Sequence, residues 1–511
     1  MNTSVRKSFI LLSLLALVAI PIMVLATTYG TPITISSPTA EYNTFFGRSV
    51  ALDGNMLLVG DSDVRLSGQS YAGAAYLYDT TTGALLRTFN NPTPVFADGF
   101  GYSVSISGNK VLIGAYNDDT GASNAGSAYL YSATTGDLLR TFDNPTPAIN
   151  DGFGWSVSIS GDKVLIGTPG DSTGASRAGS GYLYDATTGA LLKTFNNPTP
   201  SEGSGFGYSV SISGDKVLIG AITGDNGVPN VGSAYLYDAA TGALLQTFNR
   251  PTPIAGSGFG FSVSIANGKV LISSFATRSA YLFDATTGAL LYTFNSPSTT
   301  DDFFGWSVSI SGDKVLIGTP GDSTEAYRAG SAYLYDATTG ALLKTFISPN
   351  PRSQDAFGHS VAVSGENIAI SERNYLGDGS IAGSVHLYLP QPDTDGDGIA
   401  DGVDNCPADA NADQTDTDAD GQGNLCDFTP NGDNDGDGID NLADNCPGVA
   451  NAGQEDNDAD GIGNVCDPTP DGDPDPNPTT IDQCQQLSWM GFSFRNQGQC
   501  VAFVNTGHDS R

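Results

Sequence analysis

The stretch FGWSVSISGDKVLIGTPGDST stands at Phe153–Thr173 and recurs unchanged at Phe304–Thr324. A catalytic constellation is needed once, so a stretch spelled out twice reads as architecture. Its first two residues recur further, at Phe46, Phe100, Phe153, Phe206, Phe259, Phe304 and Phe357, spaced by 53 or 54 residues and in one case by 45. Seven units of about fifty residues point to a solenoid, a propeller or a linear array. Each unit holds four short runs rich in β-branched and aromatic residues between turn signals; in the second they are YSVSIS, KVLIGA, SAYLYS and LLRTF. Gly108-Asn109, the Gly-Asp of later copies and Asn267-Gly268 supply the positive φ angles of a two-residue hairpin. Runs such as VLIG and AYLY are apolar on both faces, whereas a sheet wetted on one side alternates. Sheets stacked face to face bury both sides, so the expected fold is all-β, a seven-bladed β-propeller.

Closure gives an independent argument. The last unit ends at SVHLYL and lacks an LLxTF run, while ITISSPT near the start aligns with KTFISPN of unit six. Ile33–Ile35 is therefore expected to fill the outer place of blade seven and remove the edge that an open array would expose.

Strands of a blade alternate in direction, so the turns 1–2 and 3–4 share one face and the loops 2–3 and blade-to-blade share the other. The first face is monotonous (SGDK, DATTG). The second varies: YNDDTGASNAG, TPGDSTGASRAG, ITGDNGVPNVG, ERNYLGDGSIAG, collapsing in unit five to SFATRS beside Arg278. Propellers bind through loops displayed at one face, which makes the varied face the candidate ligand surface; neutral drift of surface loops is the alternative. Catalysis finds little support. His359 occupies the variable position of FGxSV and reads as packing, His386 lies inside a strand, and His508 is near the end. No Gly-x-Ser-x-Gly or phosphate loop accompanies them. Asp118-Asp119, on a Gly-rich loop, reads as a solvated pair.

The formal charge of −34 is concentrated. Residues 391–478 carry 24 carboxylates and no Lys or Arg, leaving 31 acidic and 21 basic residues elsewhere. This points to cations as partners and away from nucleic acid or an anionic membrane. Within the acidic segment four twelve-residue loops keep Asp at positions 1, 3, 5 and 12 and Gly at 6. Their candidate ligands, with the position 9 side chain included, are Asp393, Asp395, Asp397, Asp401 and Asp404; Asp416, Asp418, Asp420, Asn424 and Asp427; Asp433, Asp435, Asp437, Asn441 and Asp444; and Asp456, Asp458, Asp460, Asn464 and Asp467. That schedule is the one by which EF-hand-like loops surround Ca2+ with oxygen. A disordered acidic linker is the alternative, against which stand four in-phase matches that each keep Gly. Asp rather than Glu at position 12 places the affinity in the extracellular class, roughly 0.1–1 mM.

Residues 1–26 read as a signal peptide, with Arg6 and Lys7 ahead of apolar Phe9–Leu25 and cleavage after Ala26; an uncleaved anchor is the alternative. The six cysteines all follow residue 405, and in an exported chain they read as disulfides. Of the fifteen pairings open to six cysteines, sequence neighbours are expected: Cys406–Cys426, Cys446–Cys466 and Cys484–Cys500.

The recurring FGxSVSI…VLIG…GSAYLY pattern resembles the FG-GAP repeat of integrin α-subunit propellers and related secreted prokaryotic proteins, over about residues 31–390. Many members carry a calcium loop between the first two strands; here SGDK or SGNK is too short for one, so Asp162, Asp215 and Asp313 read as turn residues. The alternating 23- and 17-residue spacing of the acidic loops, with DNCP and NxCD, resembles thrombospondin type 3 repeats over about residues 393–468. That resemblance implies a chain wrapped on calcium ions and stapled by disulfides. The expected order is therefore signal peptide (1–26), propeller (27–390), calcium-binding repeats (391–468), a Pro/Asp-rich linker (469–480) and a disulfide-closed tail (481–511). The functional expectation is a secreted or cell-surface, non-enzymatic adhesion protein: a propeller on a calcium-stiffened stalk, with an extracellular protein or glycan ligand and no membrane span in the mature chain. A carbohydrate-active propeller enzyme is the alternative.

Overall fold

Each of the first six repeats folds into one four-stranded antiparallel sheet because its apolar runs are two-faced and its turns are short. The computed structural model describes residues 28–39, 45–65, 68, 71–224, 228–298, 302–373 and 383–470. The expected signal peptide, the Cys484–Cys500 pair and His508 lie outside them. The chain divides into a propeller unit, Tyr29–Pro390, and a second unit that carries the acidic repeats from Gln391 onward.

Seven sheets make the propeller. Blade one runs Phe46–Asp53, Met56–Asp61, Ala74–Asp79, Leu85–Asn90, and blade two Phe100–Ser107, Lys110–Ala115, Ser127–Ser132, Leu138–Asp143. Blades three to six repeat this order, starting at Ser156, Phe206, Phe259 and Ser307. Blade seven takes Val361–Ser364, Asn367–Glu372 and Ser384–Tyr388 from the last repeat and Ile33–Ser36 from the start of the described chain. The ring is thus sealed by the N-terminal strand, in register Ile33 with Leu387 through Ser36 with Ser384.

The core lies between blades. Leu58, Leu77 and Phe89 of blade one pack with Phe100, Val111, Ile113 and Tyr131 of blade two, and equivalent clusters fill every other junction. All seven FG phenylalanines are fully buried. At roughly 1.5–3 kcal/mol for each such side chain, these seven together contribute on the order of 10–20 kcal/mol of gross burial. The glycine that follows each of them has φ between +84° and +90°, a region that L side chains avoid.

The alternating serines of SVSIS have a separate task. The innermost strand of a blade is a sheet edge, and its outward N–H groups need acceptors. Serine hydroxyls of the preceding blade supply them: Val104 N–H donates to Ser49 Oγ, Ile159 to Ser105, Ile212 to Ser158, Ile265 to Ser211, Ile310 to Ser264 and Val363 to Ser309, at 3.1–3.2 Å. Val50 N–H to Ser360 Oγ, at 3.1 Å, completes the belt across the junction of blades seven and one.

His386 belongs to the seal. Its Nδ1 lies 3.1 Å from Thr34 Oγ1 on the terminal strand, and its Nε2 lies 2.5 Å from the buried Glu372 carboxylate. Among the described residues no helix is long and apolar enough to cross a membrane.

Candidate functional site

In the acidic unit each loop is shaped by hydrogen bonds from its own backbone. The position 1 carboxylate accepts N–H groups from positions 4 and 6: Gly396 and Gly398 to Asp393, Ala419 and Gly421 to Asp416, Gly436 and Gly438 to Asp433, Ala459 and Gly461 to Asp456. The bend this requires puts position 6 at φ +87° to +98°, which is why Gly stands there four times. As a result the carboxylates of Asp393, Asp395 and Asp397, of Asp416, Asp418 and Asp420, of Asp433, Asp435 and Asp437, and of Asp456, Asp458 and Asp460 each offer oxygens within 4.8 Å of one another. Desolvation and the neighbouring carboxylates at positions 5 and 12 push Asp395, Asp418, Asp435 and Asp458 above the ordinary carboxylate range.

Position 12 is divided in the same way in all four loops. One oxygen of Asp404 accepts from Cys406 N–H and Gln414 Nε2, and one of Asp444 from Cys446 N–H and Gln454 Nε2. Asp427 and Asp467 accept from Thr429 and Thr469 N–H. The second oxygen of each is buried and has no hydrogen-bond partner, as are Asp395 Oδ2 and both oxygens of Asp435. Buried carboxylate oxygens without a donor are costly, and they fit a hard cation that takes oxygen ligands. At position 9 Asp401, Asn424, Asn441 and Asn464 accept the backbone N–H of position 2 in their own loops.

Two disulfides staple the unit, Cys406–Cys426 and Cys446–Cys466, each spanning 20 positions. Replacing one pair, Cys446→Ser with Cys466→Ser, is expected to cost the acidic unit about 3 kcal/mol by the loop-entropy relation. Hydrogen exchange over residues 433–467 measures it, and unchanged protection there would contradict it.

Several described loops of the propeller's varied face are held by buried hydrogen bonds. Asp118 is not a solvated carboxylate: it is buried, accepts from Tyr129 Oη at 2.7 Å and caps Thr120 N–H. Asp171 and Asp322 hold Tyr182 and Tyr333 in the same way. Only Asp119 of the pair is exposed, accepting Asn124 N–H. The blade-to-blade loops are clamped alike, Asn91 to Asp98 and Asn144 to Asp151 at 2.7–2.8 Å. In unit five the loop closes in one short turn, Phe275–Thr277, with Arg278 at φ +52°.

Burial pushes the Asp98 carboxyl up to about 6. A folded-state pKa above the unfolded value means that the folded state binds its proton more tightly, so this group disfavours folding at neutral pH; the penalty starts to shrink as pH falls through about 6 and is gone only below the unfolded carboxyl's value of 3.8. The thermal transition of the wild type relative to Asp98→Asn is therefore expected to improve between pH 7 and pH 5; a pH-independent difference would refute it.

The variable residues of FGxSV meet around the propeller axis. Arg48 lies 4.1 Å over Tyr102, followed by Tyr102–Trp155 (4.9 Å), Trp155–Tyr208 (5.4 Å), Tyr208–Phe261 (5.3 Å), Phe261–Trp306 (5.0 Å) and Trp306–His359 (5.8 Å). Arg48 Nη1 to His359 Nε2, at 3.4 Å, closes a seven-membered ring with one residue from each blade. Beside it lie two cavities. One of about 700 Å³ spans blades two to four near Trp155 and Arg177. The other, about 240 Å³, lies between blades six and seven near Trp306, Arg328, His359 and Arg373. On the opposite face Asp162 and Asp215 receive Lys110 and Lys163 of the preceding blade at 2.7 and 2.9 Å.

Fold and loops together define a repeat protein: a seven-bladed propeller and a separate unit of aspartate loops stapled by disulfides. A model of the FG-GAP repeat family matches residues 35–78, 95–131, 147–184, 200–237 and 296–335, and one of the thrombospondin type 3 repeat matches residues 391–414 and 415–454. The chain carries both kinds of repeat. The FG-GAP matches leave out the shortened fifth unit and the seventh, whose blades the sheet topology supplies. Curated proteins give no match. Among solved structures, the β-propeller domain of Cps50 (Swd1) from Myceliophteria thermophila is similar at 14% identity and a TM-score of 0.48, over 71% of this chain and 99% of that one.

Proposed function

We propose that this chain is an extracellular, calcium-binding adhesion protein, with the Ca2+ held by the four aspartate loops and the ligand met by the varied face of the propeller. The observation that carries the reading is the set of buried, donor-less carboxylate oxygens at position 12 of all four loops and position 3 of the first and third, together with the convergent carboxylates of positions 1, 3 and 5, in a segment without Lys or Arg. The FG-GAP and thrombospondin type 3 repeats and the disulfides favour an extracellular setting. Loops held on a regular scaffold are suited to ligand recognition.

Calorimetry of the whole exported protein tests the metal half, with an expected uptake of four Ca2+ per chain, one for each triad, lowered by one in Asp435→Asn. Uptake unchanged by that substitution would place the ion elsewhere. A glycan and protein array probed with the calcium-loaded protein tests the recognition half.

A further inference from the structure

The twin stretches Phe153–Thr173 and Phe304–Thr324, with the arginine four residues after each, put the same three groups on the varied face twice: Trp155, Pro169 and Arg177 in blade three, Trp306, Pro320 and Arg328 in blade six. Their surroundings differ. Blade four follows the first with Tyr208 and Ile222, whereas blade seven follows the second with His359 and Arg373. The cavity this makes is walled by Phe303, Trp306 and Pro320.

Its polar groups are biased in one direction. A guanidinium has donors only, so in the Arg48–His359 contact the imidazole Nε2 is the acceptor. Burial, with Arg48 and Arg373 beside it, holds His359 well below its ordinary pKa, and a neutral imidazole that accepts at Nε2 carries its proton at Nδ1. That Nδ1–H is a donor on a side chain only 8% exposed, and it has no hydrogen-bond partner. Arg328 is exposed, lies 5.5 Å over the Phe303 ring, and makes no ion pair among the described residues. Arg373 is stacked 4.2 Å over Phe45. Asp63 offsets Arg48 and Arg373 in part. Arginine forks and an N–H at an aromatic wall match a flat carboxylate carried on a ring.

We infer that the notch between blades six and seven binds a carboxylate-bearing sugar, a uronate unit of an acidic polysaccharide, with Arg328 and His359 Nδ1–H reading the carboxylate and Trp306 and Phe303 receiving the sugar's C–H face. An acidic peptide would satisfy the donors but leave the aromatic walls, which take a ring face, without a partner. The inference deepens the adhesion reading and rests on it for the role of the varied face.

The sibling blades supply substitutions already suited to the backbone. Arg328 stands at φ +53°, where blades two and four carry Asn124 and Asn230; the His359 position is Phe261 in blade five. Binding of oligogalacturonate, of its methyl ester and of a polyglutamate peptide is measured by calorimetry on the whole protein at fixed, saturating Ca2+. Losing a charge-assisted donor is expected to weaken oligogalacturonate about tenfold or more in Arg328→Asn and in His359→Phe, with Arg177→Asn, the twin position, unchanged. Equal binding of the ester, tighter binding of polyglutamate, or an effect of Arg177→Asn as large as that of Arg328→Asn would each overturn the inference. No saccharide binding with four Ca2+ still taken up would sink it and leave the calcium reading standing, whereas failed Ca2+ uptake would strike that reading instead. If His359→Phe does not fold, Arg328→Asn, at an exposed site, carries the test.

Discussion

Stripping divalent ions from the whole protein is expected to open residues 393–467 to proteolysis while the propeller stays resistant. Each aspartate loop holds three carboxylates within 4.8 Å of one another, plus the buried free oxygen of position 12. No Lys or Arg between residues 391 and 478 offsets them. Among the described residues of the unit the large apolar side chains are mostly out in solvent: Val403, Leu425, Phe428, Leu442 and Val465 are all more than 60% exposed. Cations and disulfides must therefore do what burial does in the propeller. An ion that binds only the ordered loop adds RT ln(1 + [Ca]/Kd), about 1.4 kcal/mol for each site at ten times the dissociation constant. Mass spectrometry of fragments after brief protease exposure, with and without chelator, reads the outcome. Cuts should gather between the disulfides on chelation and vanish when Ca2+ returns. An unchanged pattern, or first cuts inside residues 46–388, would show that the ion does not order this unit.

Removing residues 31–39 should cost the propeller roughly 3 kcal/mol. The strand contributes the buried Ile35, a full ladder against Ser384–Tyr388, and Thr34 as a partner of His386. Ile burial alone is worth about 1.5–3 kcal/mol, and a ladder hydrogen bond about 1, partly offset by the entropy of ordering the segment. The exposed edge of Ser384–Tyr388 should also pair between molecules. Denaturant unfolding gives the first effect and sedimentation the second. A truncated protein that is monomeric and as stable as the parent would mean that the strand does not seal the ring.

The fold was legible because its signals are local. Strand, hairpin and period sit within one repeat, and even the seal shows as a missing LLxTF matched by ITISSPT. The aspartate loops were legible for the same reason, since a twelve-residue loop carries its own ligand schedule. What remained hidden depends on neighbours in space. Arg48 and His359 are 311 positions apart and meet only because a ring brings the first blade beside the last. Likewise Asp118 looks solvated until Tyr129, on the strand that follows, folds back over it. The position 9 side chains fit the ligand schedule, yet a backbone N–H seven residues earlier reaches each of them.

The serine belt bears on how the molecule counts. Each junction between blades uses the same kind of hydroxyl-to-amide bond, and five of the seven pack a Phe of one blade on a Tyr of the next, so the interior junctions do little to distinguish a sixth neighbour from an eighth. Copy number must be enforced by the one blade built from two distant segments. If that blade fails to assemble, the interior blades have equivalent surfaces to offer to another molecule's blades as to their own. Near-identical repeats thus make the ring easy to extend by duplication and, for the same reason, prone to exchange parts between chains, with the strand Ile33–Ser36 marking where the ring closes.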